Sequence, residues 1–180
     1  MVTERLRLVP ATIALCDAEV RGADFVARTL GATVPDSWPP PVFEPDDVAR
    51  VRQQLVADPT ASRWTLYYVL RQSESGTAAP ALIGIAGFIA PPTRDGIVEI
   101  GYAIVPQHQR QGFATEAVNA LLELALTDAS VRVVVATAYV DLHPSIRVLQ
   151  KAGFSETAYT PATGLMRFEY RRSTPPRPAA

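Results

Sequence analysis

A short polar turn between two apolar stretches is the part of this sequence best suited to chemistry. It runs from Gln109 to Ala117, follows a strand-like stretch at residues 97–105 and opens a helical pattern that continues to about Thr127. The first amides of a helix lack partners within the helix, and the positive charge of that end favours anions, above all phosphate. Gly112 has no Cβ to keep a phosphate from the backbone. The sequence therefore predicts a phosphate-binding turn.

Two other phosphate-binding motifs fit this turn less well. A P-loop needs lysine and then serine or threonine after its last glycine, and Phe113-Ala114 occupy that position. A dinucleotide-binding turn needs three glycines spaced as G-x-G-x-x-G, which the glycines between residues 84 and 112 do not provide. The remaining alternative is an ordinary strand-to-helix turn with one glycine. The elements around the turn must decide between this alternative and a phosphate-binding site.

Length and composition limit the classes of protein to consider. The 180 residues predict one domain over residues 1–172, followed by a disordered, proline-rich tail at 173–180. Hydrophobic residues make up 48%, enough for a sizeable core, and a net charge of −1 gives no electrostatic reason to expect nucleic acid or an anionic membrane as a partner. No signal peptide or membrane span is visible, and the single Cys16 cannot form an internal disulfide, so a cytoplasmic location is expected.

The elements around the turn follow from hydrophobic periodicity and from the positions of proline and glycine. Strands are predicted over residues 3–9, 64–70, 81–90, 97–105, 131–138, 154–158 and 165–170. Helices are predicted over 12–30 in two pieces divided at Gly22, over 45–57, from the turn to about 127, and over 144–152. A buried strand after the helix of the turn indicates a parallel β-α-β crossover. We therefore expect an α/β (α+β) fold: a mixed, mostly antiparallel sheet of about seven strands, about four helices and a central parallel crossover.

Four segments, in this order, carry a family resemblance. They are TERLRL at residues 3–8, EIGY at 99–102 with Val105-Pro106, the turn with its pattern Gln109-x-x-Gly112-x-Ala114, and SIRVLQKAGF at 145–154. The turn matches Q/R-x-x-G-x-G/A, the acyl-coenzyme A pyrophosphate motif of the GNAT superfamily of N-acetyltransferases. Across about residues 3–170 the chain resembles that superfamily, and its opening strand is similar to the branch that acetylates the N-termini of ribosomal proteins.

The resemblance implies acetyl-CoA as co-substrate, no metal, and a primary amine as acceptor, on a protein N-terminus or a small molecule. A homodimer is left open. The pantetheine arm is implied to pair with main-chain groups where two parallel strands part, and the pyrophosphate to meet the turn. Arg110 either adds a charge to a coenzyme phosphate or is solvated. The implied coenzyme-binding residues are Ile104, Val105, Gln109, Arg110, Gln111, Gly112, Phe113, Ala114, Thr115 and Ser145.

Transfer to an amine requires a base, because a lysine amine with a pKa of about 10.4 is almost wholly protonated at neutral pH. Glu99 is the candidate: it is the acid within an otherwise apolar strand, on the face of the small residues Gly101 and Ala103. A structural carboxylate paired across the sheet is an equal alternative. Ser145 matches a serine that lies near the thioester sulfur or the coenzyme in this branch, and a local role at the helix start is its alternative.

Two positions depart from the family pattern, and the acceptor is not specified. Leu142 stands where asparagine is frequent and Leu149 where a tyrosine general acid is frequent, which removes the usual groups for protonating the thiolate. A sensor that binds acyl-CoA without catalysis therefore remains an alternative, as does an unrelated α/β nucleotide-binding protein.

The acceptor pocket is implied to lie between the first helices and the last two strands, with Trp38 and Tyr102 as substrate-binding residues. Further candidate wall residues are Asp24, Phe25, Phe43, Tyr159 and Met166.

Overall fold

The computed structural model describes residues 1–73 and 78–172, and these form one seven-stranded sheet with helices on both faces. The strands are Leu6–Pro10 (β1), Leu66–Arg71 (β2), Ala81–Phe88 (β3), Ile97–Ile104 (β4), Val133–Tyr139 (β5), Ser155–Thr160 (β6) and Leu165–Arg171 (β7). The α-helices are Ile13–Arg21 (α1), Ala23–Leu30 (α2), Pro45–Ala57 (α3), Phe113–Leu126 (α4) and His143–Lys151 (α5). Two 3₁₀-helices cover Pro59–Trp64 and Pro106–His108. The expected tail at 173–180 lies outside the described residues.

The strand order is β1-β2-β3-β4-β5-β7-β6. Neighbours pair antiparallel except β4 and β5, which pair in parallel and are joined through α4. The predicted mixed sheet with one central parallel crossover is thus confirmed. The described residues contain five α-helices. Residues 12–30 form two of them, α1 and α2, divided as expected at Gly22, which has φ 112°. The predicted strand start at Trp64 was too early, since that residue ends a 3₁₀-helix and β2 begins at Leu66.

Two apolar clusters hold the helices against the sheet. Helix α4 buries Ala117, Leu121 and Ala125, spaced four residues apart, against one face of the sheet. Helices α1 to α3 cover the other face, where Leu15 and Val51 meet the β2 and β3 side chains. Strand β5 is buried from Val133 to Ala136, as expected for a parallel-paired strand covered on both faces. No helix in the described ranges is long and apolar enough to cross a bilayer.

The two parallel strands pair only at their beginnings. Their register runs from Ile97 opposite Val133 to Ile100 opposite Ala136, and beyond that pair the strands separate. Strand β4 continues to Ile104 along β3, while the rest of β5 stays with β7. A cleft therefore opens at the carboxyl ends of β4 and β5, the place where ligands bind in sheets with parallel strands. The turn before α4 stands at the edge of this cleft.

Candidate functional site

The turn before α4 is folded so that most of its backbone amides have no hydrogen-bond partner among the described residues. Arg110 (φ 59°) and Gly112 (φ 86°) both adopt the left-handed conformation, and Gly112 immediately precedes the helix. Within the described residues, none of the six amides from Arg110 to Thr115 donates to another protein atom. Glu116 is the first residue whose amide bonds back into the helix, to the Gly112 carbonyl at 3.0 Å. Successive free amides at a helix start form a concave anion site.

The two glutamines of the turn brace it through their side chains. Gln109 Nε2 donates to the Ile104 carbonyl at 2.9 Å, and Gln111 Nε2 donates to the Gln107 carbonyl at 3.0 Å. The Gln109 amide is also engaged, with the Pro106 carbonyl at 3.2 Å. Of these two candidate coenzyme-binding residues, Gln111 thus still offers a free amide, whereas Gln109 acts by fixing the turn against the end of β4.

The end of β4 presents alternate residues to the cleft. The Val105 amide donates to the Ile83 carbonyl at 2.9 Å and the Val105 carbonyl accepts from the His108 amide at 3.0 Å, so both main-chain groups are occupied. Because main-chain groups alternate in direction along a strand, those of Ile104 and Tyr102 point towards the parted β5. The Ile104 carbonyl is taken by Gln109, which leaves the Ile104 amide facing the cleft. Of the two residues expected to offer main-chain groups to the pantetheine arm, Ile104 thus has a free amide directed to the cleft, whereas both main-chain groups of Val105 are bonded within the protein.

Tyr102 reaches from β4 to the first turn of α5. Its hydroxyl donates to the Ser145 carbonyl at 3.0 Å and lies 2.9 Å from Ser145 Oγ. Burial raises the pKa of Tyr102 to about 12, although the Ser145 hydrogen bond acts in the opposite direction. The phenol therefore stays protonated at neutral pH. The candidate residues Tyr102 and Ser145 are thus brought together beside the cleft, and Ser145 is held by more than its local amide bond to the Leu142 carbonyl.

Removing the Tyr102 hydroxyl is expected to destabilise the protein measurably. Tyr102→Phe leaves Ser145 without its partner, and we expect the free energy of unfolding to fall by about 1–2 kcal/mol in urea denaturation. A folded-state pKa above the usual value stabilises the fold fully below pH 10 and progressively less as the pH rises towards about 12. The stability gap between wild type and Tyr102→Phe should narrow over that range. Tyr159→Phe, at a side chain 48% exposed, is the control, and an equal effect there would contradict the assignment.

Glu99 lies one residue before the last β4–β5 pair, on the opposite face from Tyr102. Its side chain is half-buried, and Thr137 Oγ1 donates to Glu99 Oε1 at a long 3.4 Å. Thr137 is exposed and follows the last paired residue of β5. Within residues 1–73 and 78–172, Glu99 forms no ion pair with an arginine. A carboxylate with one weak partner, at the point where the strands part, has an oxygen left for a ligand.

Trp38 is engaged in a polar contact on the α1 side of the sheet. Its Nε1 donates to Glu19 Oε2 at 3.2 Å, and its ring stacks on Tyr68 with a centroid distance of 6.2 Å. Burial raises the pKa of Glu19, while the bond from Trp38 acts against that rise. The loop that carries Trp38 reaches the turn after β4, where Ser37 Oγ donates to Gln107 Oε1 at 2.6 Å. Trp38 therefore lies on a loop next to the exit of β4.

The other candidate wall residues separate into core and surface. Phe43 is 6% exposed and belongs to the apolar cluster under α1 to α3, so it contributes packing and no pocket surface. Phe25 lies between two guanidinium groups, those of Arg21 at 3.7 Å and Arg28 at 4.6 Å from its ring centroid. Asp24 and Tyr159 are exposed and Met166 is half-buried. Of the aromatic candidates, Phe43 therefore lies in the core, whereas Phe25 and Tyr159 remain at least partly accessible.

An ion pair at the start of α4 was missed by sequence reasoning. Glu116 accepts hydrogen bonds from Thr3 Oγ1 at 2.6 Å, the Arg5 amide at 2.9 Å and Arg5 Nε at 2.8 Å, and Arg5 Nη2 lies 2.7 Å away. Arg5 Nη1 donates to the Gln111 carbonyl at 3.0 Å. A Cβ added to Gly112 would lie 3.2 Å from Arg5 Nη2. The patterns placed Glu116 on the polar face of its helix and Arg5 on a strand, and nothing local links positions 111 residues apart.

The start of α4 opens onto a surface pocket of about 380 Å³. Its lining residues are Glu4, Gly112, Thr115, Glu116, Asn119 and Lys151. The start of α4 is therefore open on this side and not sealed by the protein's own side chains. The described residues contain no cluster of three or more histidine, cysteine, aspartate or glutamate side chains placed to hold a metal ion.

Comparison with known proteins agrees with this geometry. Residues 5–155 match the family model described as acetyltransferase (GNAT) domain. The uncharacterised N-acetyltransferase YjdG of Bacillus subtilis (strain 168) is 28% identical over 152 residues, covering 84% of this chain and 87% of that protein. RimL, a ribosomal L7/L12 α-N-protein acetyltransferase solved with coenzyme A, superposes with a TM-score of 0.65 at 18% identity, over 95% of this chain and 96% of that one. The Salmonella typhimurium yncA structure with its cofactor acetyl-CoA gives 0.60 at 20% identity, over 98% and 99%. This chain belongs to the GNAT acetyltransferase family.

Proposed function

We propose that this protein is an N-acetyltransferase that moves an acetyl group from acetyl-CoA to a primary amine. The observation that carries the proposal is the run of six free amides from Arg110 to Thr115 at the mouth of α4, beside two parted strands. Those donors suit a diphosphate, and the cleft beside them suits the extended arm of a coenzyme. YjdG is named an N-acetyltransferase, and yncA was solved with acetyl-CoA, which supports the same chemistry.

The proposed reaction is direct attack on the thioester. A protonated amine first gives one proton to the base. The neutral amine nitrogen then attacks the carbonyl carbon and the C–S bond breaks; the nitrogen loses one further proton as the amide forms, and the coenzyme A thiolate takes up one proton. Glu99 is the proposed base, because its carboxylate has one weak partner where the strands part. The Ile104 amide, which faces the cleft, is proposed to bind the pantetheine arm, and Ser145 to lie against the coenzyme. Trp38 and Tyr102 are proposed to border the acceptor from opposite faces of the sheet, Trp38 on the α1 side and Tyr102 beside Ser145.

A protein N-terminus is the first acceptor to test. The structural neighbour RimL acts on the α-amine of a ribosomal protein, and an α-amine with a pKa of about 8 needs little help from a base. A small-molecule amine would react by the same proposed chemistry.

We place the reaction in the cytoplasm, since the unpaired, buried Cys16 thiol fits a reducing compartment. The whole catalytic unit is proposed to lie within residues 1–172.

An acceptor screen tests the proposal. Purified protein is incubated with acetyl-CoA and a panel of peptides with different N-termini, an aminoglycoside and a polyamine, and released coenzyme A is measured with a thiol reagent. We expect saturable, protein-dependent release with at least one amine, and a mass gain of one acetyl group on that amine. Thermal stabilisation by ATP or NAD but not by acetyl-CoA would instead show that this member of the family binds a different nucleotide, and would contradict the proposal.

A non-catalytic acyl-CoA sensor is the second candidate, favoured by two positions near α5. Leu149 is fully buried and Leu142 is 43% exposed, and neither side chain can give a proton to the leaving thiolate. The same assay separates the two functions. Tight binding of acetyl-CoA with no turnover on any amine would favour the sensor, whereas turnover would exclude it.

A further inference from the structure

The proposed pyrophosphate site contains an acid of its own. Glu116 lies in the first turn of α4, three residues after its first residue, Phe113, and lines the same pocket as Gly112 and Thr115. Its side chain is only 16% exposed, so water screens its charge poorly. A carboxylate beside a helix start favours the helix but repels a second anion that binds there. A diphosphate can bind well only if this charge is compensated.

Arg5 supplies that compensation from the beginning of the sheet. Its guanidinium contacts Glu116 through Nε at 2.8 Å and Nη2 at 2.7 Å, while Nη1 donates to the Gln111 carbonyl at 3.0 Å. Its Cζ lies over the Phe113 ring, 4.5 Å from the centroid, and the guanidinium lies against Gly112, where a side chain would crowd it. One cation thus joins the acid, the turn and the first residue of the helix.

The contact with Gln111 also sets the direction of a donor. In a trans peptide the carbonyl and the following N–H point in opposite directions. Holding the Gln111 carbonyl towards Arg5 therefore directs the Gly112 amide away from Arg5, towards the open side of the turn. Without this bond the peptide can rotate and present a carbonyl oxygen to the bound anion.

We propose that Arg5 is a positioning residue for the coenzyme, which neutralises Glu116 and fixes the Gln111–Gly112 peptide so that the free amides meet the pyrophosphate. This inference rests on the proposed function, because it requires that acetyl-CoA binds at α4. Glu116 is ionised at neutral pH. Partial burial alone raises its pKa, but hydrogen bonds from Thr3 and Arg5 and the charge of Arg5 outweigh burial and hold the pKa below its usual value.

Isothermal titration of acetyl-CoA into a small set of variants tests the proposal. We expect Arg5→Gln to raise Kd about tenfold. Arg5→Gln/Glu116→Gln should recover part of that loss, to about threefold above the wild-type Kd, because the repelling charge is then gone while the contact with the Gln111 carbonyl is still missing. Arg5→Lys should fall between Arg5→Gln and wild type, since it keeps the charge but loses the fork that reaches both partners. Arg7→Gln is the control: it removes the same charge from an exposed position of β1 that has no ion pair among the described residues.

Salt dependence separates charge compensation from a purely structural role. Repulsion by an uncompensated Glu116 weakens as ionic strength rises, so the ratio of the Arg5→Gln and wild-type Kd values should shrink between 0.05 and about 0.5 M salt. Provided that the wild type binds acetyl-CoA, either of two results would overturn the inference. One is a double variant that binds as weakly as Arg5→Gln, and the other is a ratio of Kd values that does not change with salt. Circular dichroism confirms that each variant is folded. If folded wild-type protein does not bind acetyl-CoA at all, the proposed function itself fails, and the inference with it.

Discussion

Replacing Gly112 with glutamate is expected to raise the Kd for acetyl-CoA by about 100-fold or more, measured by isothermal titration. Two effects combine at this position. The backbone is left-handed, with φ 86°, a conformation that costs a residue with a side chain about 1–2 kcal/mol. The added Cβ would lie 3.2 Å from Arg5 Nη2, so the guanidinium would hold the new carboxylate beside the free amides of the turn. A phosphate and that carboxylate cannot both accept hydrogen bonds from the same amides.

Two further variants separate charge from backbone strain. Gly112→Ala imposes the same conformation and the same crowding of Arg5 without a charge, and we expect it to raise Kd by only several-fold. Gly31→Glu adds the same side chain at another left-handed glycine, with φ 61° and open space around it, at the end of α2. It should leave coenzyme affinity unchanged. An unaltered Kd in Gly112→Glu would remove the turn before α4 from the proposed site.

The order of elements and the start of the key helix were predictable from the sequence because their causes are local. Gly112 precedes α4 as expected, and the helix runs to Leu126, one residue short of the prediction. Gly22 divides two helices because its φ of 112° suits neither. The apolar run at residues 131–138 indicated a strand covered on both faces, which in turn indicated the parallel crossover, and the structure has β5 at Val133–Tyr139. Each of these predictions needed only the spacing of apolar residues along the chain or a single glycine, whose backbone can adopt conformations that other residues rarely adopt.

What the sequence could not supply depends on packing between distant segments. The choice of Ile104 over Val105 at the cleft follows from which main-chain groups β3 takes, and residue types do not encode that register. Phe43 was expected in a pocket wall and lies in the core, since an aromatic pattern suits both places. The Arg5–Glu116 pair joins the first residues of the chain to α4 only because β1 and α4 pack at the same end of the sheet. An arginine just before a strand gives no local signal of such a partner.

With an alkylamine acceptor of pKa about 10, Glu99→Gln is expected to lower kcat by about 100-fold or more while changing the Kd for acetyl-CoA less than about threefold, because a general base contributes on the order of 10²–10⁴ in rate. The substitution keeps the size of the side chain and an oxygen for the Thr137 hydrogen bond, so the cleft should keep its shape. What is lost is a proton acceptor within half-buried surroundings at the point where β4 and β5 part. The coenzyme's proposed donors lie in the turn and at Ile104, and within the described residues none of them bonds to this carboxylate.

The pH profile distinguishes a base from a structural acid. If Glu99 accepts the amine proton, the loss in kcat/KM should be largest near neutral pH and should shrink as the pH approaches the pKa of the acceptor amine, where unprotonated amine needs no base. A structural role would instead lower the rate by the same factor at every pH and reduce stability in urea. Glu123→Gln, at an exposed position of α4, is the matched control and should leave both rate and stability unchanged. Equal turnover by Glu99→Gln and wild type across the profile would exclude Glu99 as the base and point to a water molecule carrying the proton from the cleft.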